Sequence, residues 1–75
     1  MEYEKIYKRL ANQGVVYILD DFEEVAIRLV SRKDKTIAYL KRKGRKEGLS
    51  DATLKTVFDV ELEGVEITKE EYDNY

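Results

Sequence analysis

Residues 24–43, EVAIRLVSRKDKTIAYLKRK, decide how this chain folds. In Glu24–Ser31 the apolar Val25, Ile27 and Leu29 alternate with Glu24, Ala26 and Arg28, the period of two of a strand with one buried face. Arg32-Lys33-Asp34-Lys35 is polar and turn-like, and Thr36–Lys43 resumes the extended pattern up to Gly44. A turn centred on Lys33-Asp34 sets Ile27 opposite Leu40 and Leu29 opposite Ala38 on one face. Arg28 then faces Tyr39, Ala26 faces Lys41 and Glu24 faces Lys43 on the other. Val15–Leu19, bounded by Gly14 and Asp20-Asp21, is short and β-branched and reads as a third strand. A tight connection at Asp20–Glu23 brings Val16 and Ile18 beside Ile27 and Val25, and Tyr17 and Val15 to the face of Arg28 and Tyr39. The expected sheet is a three-stranded antiparallel meander with an apolar inner face and a basic, tyrosine-bearing outer face. A one-residue slip would exchange those faces.

Helices flank this meander. Tyr3, Ile6, Tyr7 and Leu10 recur at i, i+3, i+4 and i+7, which predicts a helix over residues 2–12. Glu2 and Glu4 near its start and Lys8 and Arg9 near its end suit the helix dipole, and Gly14 offers a left-handed stop. Residues 50–63 fit a helical stripe and a strand alternation equally well. Ser50-Asp51 as N-cap and Gly64 as C-terminal stop decide for helix. Thr68-Lys69-Glu70-Glu71 is a capping box, with Ile67 and Tyr72 placed as a hydrophobic staple, so a short helix is expected over 69–74 with Tyr72 packed onto the body. The fold class is therefore α+β in one small globular domain spanning 1–75. Tyr3, Ile6, Tyr7, Leu10, Leu54, Val57, Phe58 and Leu62 are expected to cover the inner face.

Composition narrows the function. Without a single Cys or His, neither a disulfide framework nor a zinc site can be built, and nucleophile–base pairs fail at the first step. The four glycines form no phosphate-cradling loop. A non-enzyme without cofactor or metal is expected. No apolar run approaches the roughly 20 residues of a membrane span, and Met1-Glu2-Tyr3-Glu4 does not open as a signal peptide does. A cytoplasmic protein is expected, with a homodimer interface one way to enlarge so small a core.

Charge is divided sharply along the chain. Residues 28–46 hold nine of the fourteen basic residues and one acid, a net +8, against −3 before them and −7 after. Turn and loop positions take Arg32, Lys33, Lys35, Arg45 and Lys46, and Arg42 is expected at the edge of the inner face. Arg28, Lys41 and Lys43 are left to share the outer face with Tyr17 and Tyr39. Cations beside aromatic rings suit phosphates and stacked bases. Val15, Val30 and Ile37 on the same face suit a protein partner equally. Two further readings stay open: the acidic segment neutralises the hairpin within the fold, or Asp59, Glu63, Glu66, Glu70, Glu71 and Asp73 mimic a phosphate backbone. The acidic Asp20–Glu24 cluster lacks the ligand spacing of a cation loop and reads as a solvated turn.

Lys43-Gly44-Arg45-Lys46-Glu47, Leu62-Glu63-Gly64 and Glu66-Ile67-Thr68-Lys69-Glu70-Glu71-Tyr72 resemble the endings of small uncharacterised proteins of Gram-positive phages and mobile elements. The resemblance spans the C-terminal half. It implies a phage or mobile-element context rather than a mechanism and transfers no site residues.

Overall fold

The computed structural model describes residues 3–50 and 55–75, the side chains of Tyr3, Thr56 and Phe58 apart. The chain runs α1 (Tyr3–Gln13), β1 (Val15–Asp20), β2 (Val25–Arg32), β3 (Lys35–Arg42), β4 (Gly48–Ser50), α2 (Lys55–Glu63), β5 (Val65–Ile67) and α3 (Lys69–Asp73). The fold is α+β, and the meander β1-β2-β3 forms the centre of a five-stranded antiparallel sheet ordered β4-β3-β2-β1-β5. The two outer strands are the departure from the expected three. Each has three residues, less than two alternation periods, and each exists only because a longer neighbour offers it a ladder.

The hairpin register follows the turn chemistry. Ile27 faces Leu40, Arg28 faces Tyr39 and Leu29 faces Ala38, with Lys33 in the left-handed conformation at φ 54. The expected Glu24–Lys43 pair does not form, because β2 begins at Val25 and Glu24 is itself left-handed at φ 55. In the first hairpin Ile18 faces Ile27 and Val16 faces Leu29, two residues away from the expected register. The connection runs over residues 21–24 instead of 20–23, and moving the turn by one residue shifts the pairing by two. An offset of two preserves the pleat, so every side chain still reaches its expected face.

The core lies between the inner sheet face and helices α1 and α2. Ile6, Leu10, Val16, Ile18, Val25, Ile27, Leu29, Ala38, Val57 and Val60 form one buried cluster, with Tyr7 and Leu40 packed against it. Each large aliphatic side chain so buried contributes about 1.5–3 kcal/mol. Gly14 ends α1 at φ 81, its N–H donating to the Leu10 carbonyl at 2.8 Å.

The second helix departs further from expectation. Ser50, expected as its N-cap, instead ends β4 opposite Ala38; Asp51 and Leu54, and the side chains of Tyr3 and Phe58 expected in the core, lie outside what the structure describes. Among the described residues of α2 the buried ones are Val57, Val60 and Glu61, while Leu62 is 53% exposed rather than in the core. Gly64 is not left-handed. It is glycine because nothing larger fits: an added Cβ would lie 2.6 Å from the Val60 carbonyl oxygen, 2.7 Å from Ile18 Cγ2 and 2.8 Å from the Leu19 carbonyl oxygen.

At the C-terminal end the capping box forms as expected. Thr68 Oγ1 accepts from the Glu71 N–H at 3.1 Å, and Glu71 Oε1 accepts from the Thr68 N–H at 3.0 Å. The helix it starts lies on the outer sheet face, opposite α1 and α2, where the Tyr72 ring meets Tyr17 at 5.2 Å between centroids. Among the described residues no helix is long and apolar enough to cross a membrane.

Candidate nucleic-acid interface

The strand register places Tyr17, Arg28 and Tyr39 in one row across β1, β2 and β3, with Lys41 one row further on, opposite Ala26. Four of the five expected site residues thus share the outer face. The fifth, Lys43, follows the end of β3 and stands in the turn that leads to β4. Gly44 permits that turn at φ 72, and its N–H donates to the Tyr75 carbonyl at 2.9 Å.

The face is not bare. Arg28 Nε and Nη2 donate to the two carboxylate oxygens of Glu47 at 2.8 and 3.0 Å, a bidentate fork. Its guanidinium carbon lies 4.1 Å from the centroid of Tyr39, so the cation also rests on that ring. The Tyr72 hydroxyl donates to Glu47 Oε1 at 2.7 Å. Lys41 Nζ donates to the carbonyls of Tyr72 and Asp73 at 2.9 and 3.0 Å, placing a positive charge at the negative end of α3.

Titration follows these contacts. The bond from Arg28 holds the Glu47 carboxyl below its ordinary range, and the same bond raises the Arg28 guanidinium. Burial, reinforced by the bond to Glu47, raises the Tyr72 hydroxyl. Lys69 bonds Asp73 at 2.7 Å and lowers that carboxyl. Neither Glu47 nor Tyr72 is visible as a site residue in the sequence, because they lie 19 and 44 positions from Arg28. The capping box and its staple are the one local hint that Tyr72 docks.

Between the sheet, the loop after β3 and α3 opens a recess of about 440 Å³. Its cations are Arg28, Lys41, Arg45, Lys46 and Lys69, against the carboxylates Glu47 and Asp73. Arg45 and Lys46 at its mouth are exposed, and among the described residues no ion pair engages either. The recess therefore has a neutralised floor and a positive rim. Stacking of bases on Tyr17 and Tyr39 is obstructed, since Tyr72 lies against the first ring and Arg28 against the second.

The other charged clusters separate. Glu66 pairs with Arg9 at 2.8 Å and Glu71 is held in the capping box. Helices α2 and α3 lie on opposite faces of the sheet, so the acidic residues of the C-terminal part do not form one surface. Asp20 is buried and its Oδ1 accepts from the Glu23 N–H at 3.2 Å, a local turn bond. Among the described residues no group of three or more acidic side chains stands close enough to hold a metal ion. Compared with protein-family models, with curated proteins and with solved structures, the chain matches none.

Proposed function

We propose that this protein is a non-catalytic binding module of a phage or mobile element that contacts nucleic-acid phosphates through the basic end of its second hairpin. The observation that carries this reading is the rim of the recess. Arg28 and Lys41 are engaged within the fold, whereas Lys43, Arg45 and Lys46 extend from a loop pinned by Gly44. Clustered, solvated cations on a fixed loop suit phosphate contact, which is strong at low salt and indifferent to sequence. Arg28 and Lys41 then act as positioning residues that hold the loop and α3 in place. The competing reading is a protein-directed adaptor. Its support is the half-buried apolar row of Val15, Val30 and Ile37 on the same sheet face.

The test is fluorescence anisotropy with labelled single- and double-stranded oligonucleotides across a salt series. Three phosphate contacts give a slope of about −2.7 in log affinity against log salt on duplex, a loss of roughly fortyfold between 50 and 200 mM. Arg45→Glu with Lys46→Glu should remove most of the binding and reduce the slope to about −1. Lys41→Glu is a poor probe, since it sets a carboxylate against the carbonyls that Lys41 now satisfies. No binding at low salt, or binding that the double variant leaves intact, would refute the proposal.

A further inference from the structure

Phe22 is 91% exposed, the most solvent-bare large apolar side chain among the described residues. A lone exposed apolar side chain needs no explanation by itself; what sets this one apart is the charge around it. It stands at the tip of the β1–β2 loop between Asp21, Glu23 and Glu24, all three exposed. The loop is shaped in advance by the Asp20–Glu23 turn bond and by the left-handed backbone of Glu24. An aromatic knob ringed by carboxylates is the result.

The opposite end of β2 carries the complement. A groove of about 420 Å³ is lined by Arg32, Lys33, Asp34, Lys35 and Ile37. Half-buried Ile37 is its apolar member, and the exposed cations Arg32, Lys33 and Lys35 stand around it beside Asp34. Arg32 lies directly opposite Lys35 in the hairpin ladder. Like charges in that position disfavour the hairpin that contains them, so local stability does not account for them. A groove of this size is within the range that accepts a small ligand or one aromatic side chain.

Knob and groove cannot meet in one molecule. They cap opposite ends of the eight-residue β2, about 24 Å apart at the usual rise per residue. We infer that they meet between molecules: Phe22 of one copy seats on Ile37 of the next, and Asp21, Glu23 and Glu24 meet Arg32, Lys33 and Lys35. Three carboxylates then face a groove of three cations and one carboxylate, Asp34, a net +2, around a buried ring. The contact is head-to-tail and leaves a free knob at one end of any assembly and a free groove at the other, so it grows into open chains rather than closing as a two-fold dimer. The groove lies at the opposite end of the hairpin from the Lys43–Lys46 rim, whereas the knob adjoins that rim's end of the sheet, Glu24 preceding the Val25–Arg42 pair.

The experiment is sedimentation velocity with light scattering on the full chain, from tens of micromolar to millimolar, at low and high salt. The average mass of the wild type should climb past that of a dimer with concentration and fall back as salt rises. Phe22→Ser and the double variant Arg32→Glu with Lys35→Glu should each remain monomeric, with association weakened at least about tenfold. Thermal melts confirm that each variant still folds. Mixing the two variants provides the decisive arm, because one retains a groove and the other a knob. They should form a 1:1 heterodimer that grows no further. A wild type that stays monomeric at millimolar concentration overturns the inference. So does a closed dimer of fixed mass, or a mixture that fails to pair.

Discussion

Replacing Gly64 with alanine separates two explanations of the same residue. If glycine stands there for backbone freedom at the end of α2, the change should do no harm. The φ angle of Gly64 is outside the positive range, and Gly→Ala at a compatible site stabilises by about 0.4–1 kcal/mol through the unfolded chain. Packing demands the opposite sign. The new methyl would sit 2.6 Å from the Val60 oxygen and 2.8 Å from the Leu19 oxygen, both main chain, and 2.7 Å from the fully buried Ile18. The Val60 oxygen already accepts the Gly64 N–H at 2.7 Å, and Leu19 belongs to β1, the strand that also carries β5. Relief requires α2 and β1 to move apart, and overpacking of this kind costs about 1–3 kcal/mol. In a domain of this size each kcal/mol lowers Tm by about 4–8 °C, so Gly64→Ala should melt about 4–24 °C lower. Gly14→Ala is the control: its φ of 81 disfavours alanine, but there is no atom within 4 Å of the added methyl. That variant should lose only about 1 kcal/mol. Calorimetry and urea titration with unchanged m-values measure both. A Gly64→Ala protein that melts at or above the wild-type temperature would refute the packing argument.

Two further substitutions probe the interior and the C-terminal helix. Glu61 is fully buried on α2, its Oε1 accepting from the Tyr7 hydroxyl at 3.1 Å, and burial raises its carboxyl above the ordinary range. The folded state therefore binds the proton more tightly than the unfolded one. Stability from this group is fully present below about pH 4 and is lost as pH rises through the raised value. Glu61→Gln should add about 1 kcal/mol in urea melts at pH 7 and nothing at pH 4; a loss at pH 7 would count against a buried charge. Tyr72 is 3% exposed and holds α3 to the sheet. Tyr72→Ala should cost about 3–5 kcal/mol, and Tyr72→Phe, which removes only the bond to Glu47, about 1–2 kcal/mol. Equal costs for the two would show that the hydroxyl, not the ring, secures the helix.

Much of this architecture was legible because its signals are local. The Lys33-Asp34 turn sets the pairing of β2 and β3 by itself, α1 repeats its apolar residues over two turns and stops at a glycine, and the capping box lies within four consecutive residues. Each is a short-range interaction that a reader of the chain can count. The outer strands were not legible, because Gly48–Ser50 and Val65–Ile67 have no pattern of their own and are strands only beside β3 and β1. The face of α2 was misjudged at Leu62 because sequence ranks Leu above Glu for burial, whereas the fold turns Glu61 inward and supplies Tyr7 as its partner.

The basic stretch shows the same division. Its charge, its placement on one hairpin and the gathering of Tyr17, Arg28, Tyr39 and Lys41 on the outer face all follow from composition and the period of two. Which of those cations remain accessible was decided only by the tertiary structure. Glu47 reaches Arg28 across a loop, and the carbonyls of Tyr72 and Asp73 reach Lys41 across 31 and 32 residues. The chain order of charges records their number but not their distances, and an ion pair or a capped helix end depends on distance. The fold thus engages Arg28 and Lys41 and leaves Lys43, Arg45 and Lys46 of the loop exposed to solvent.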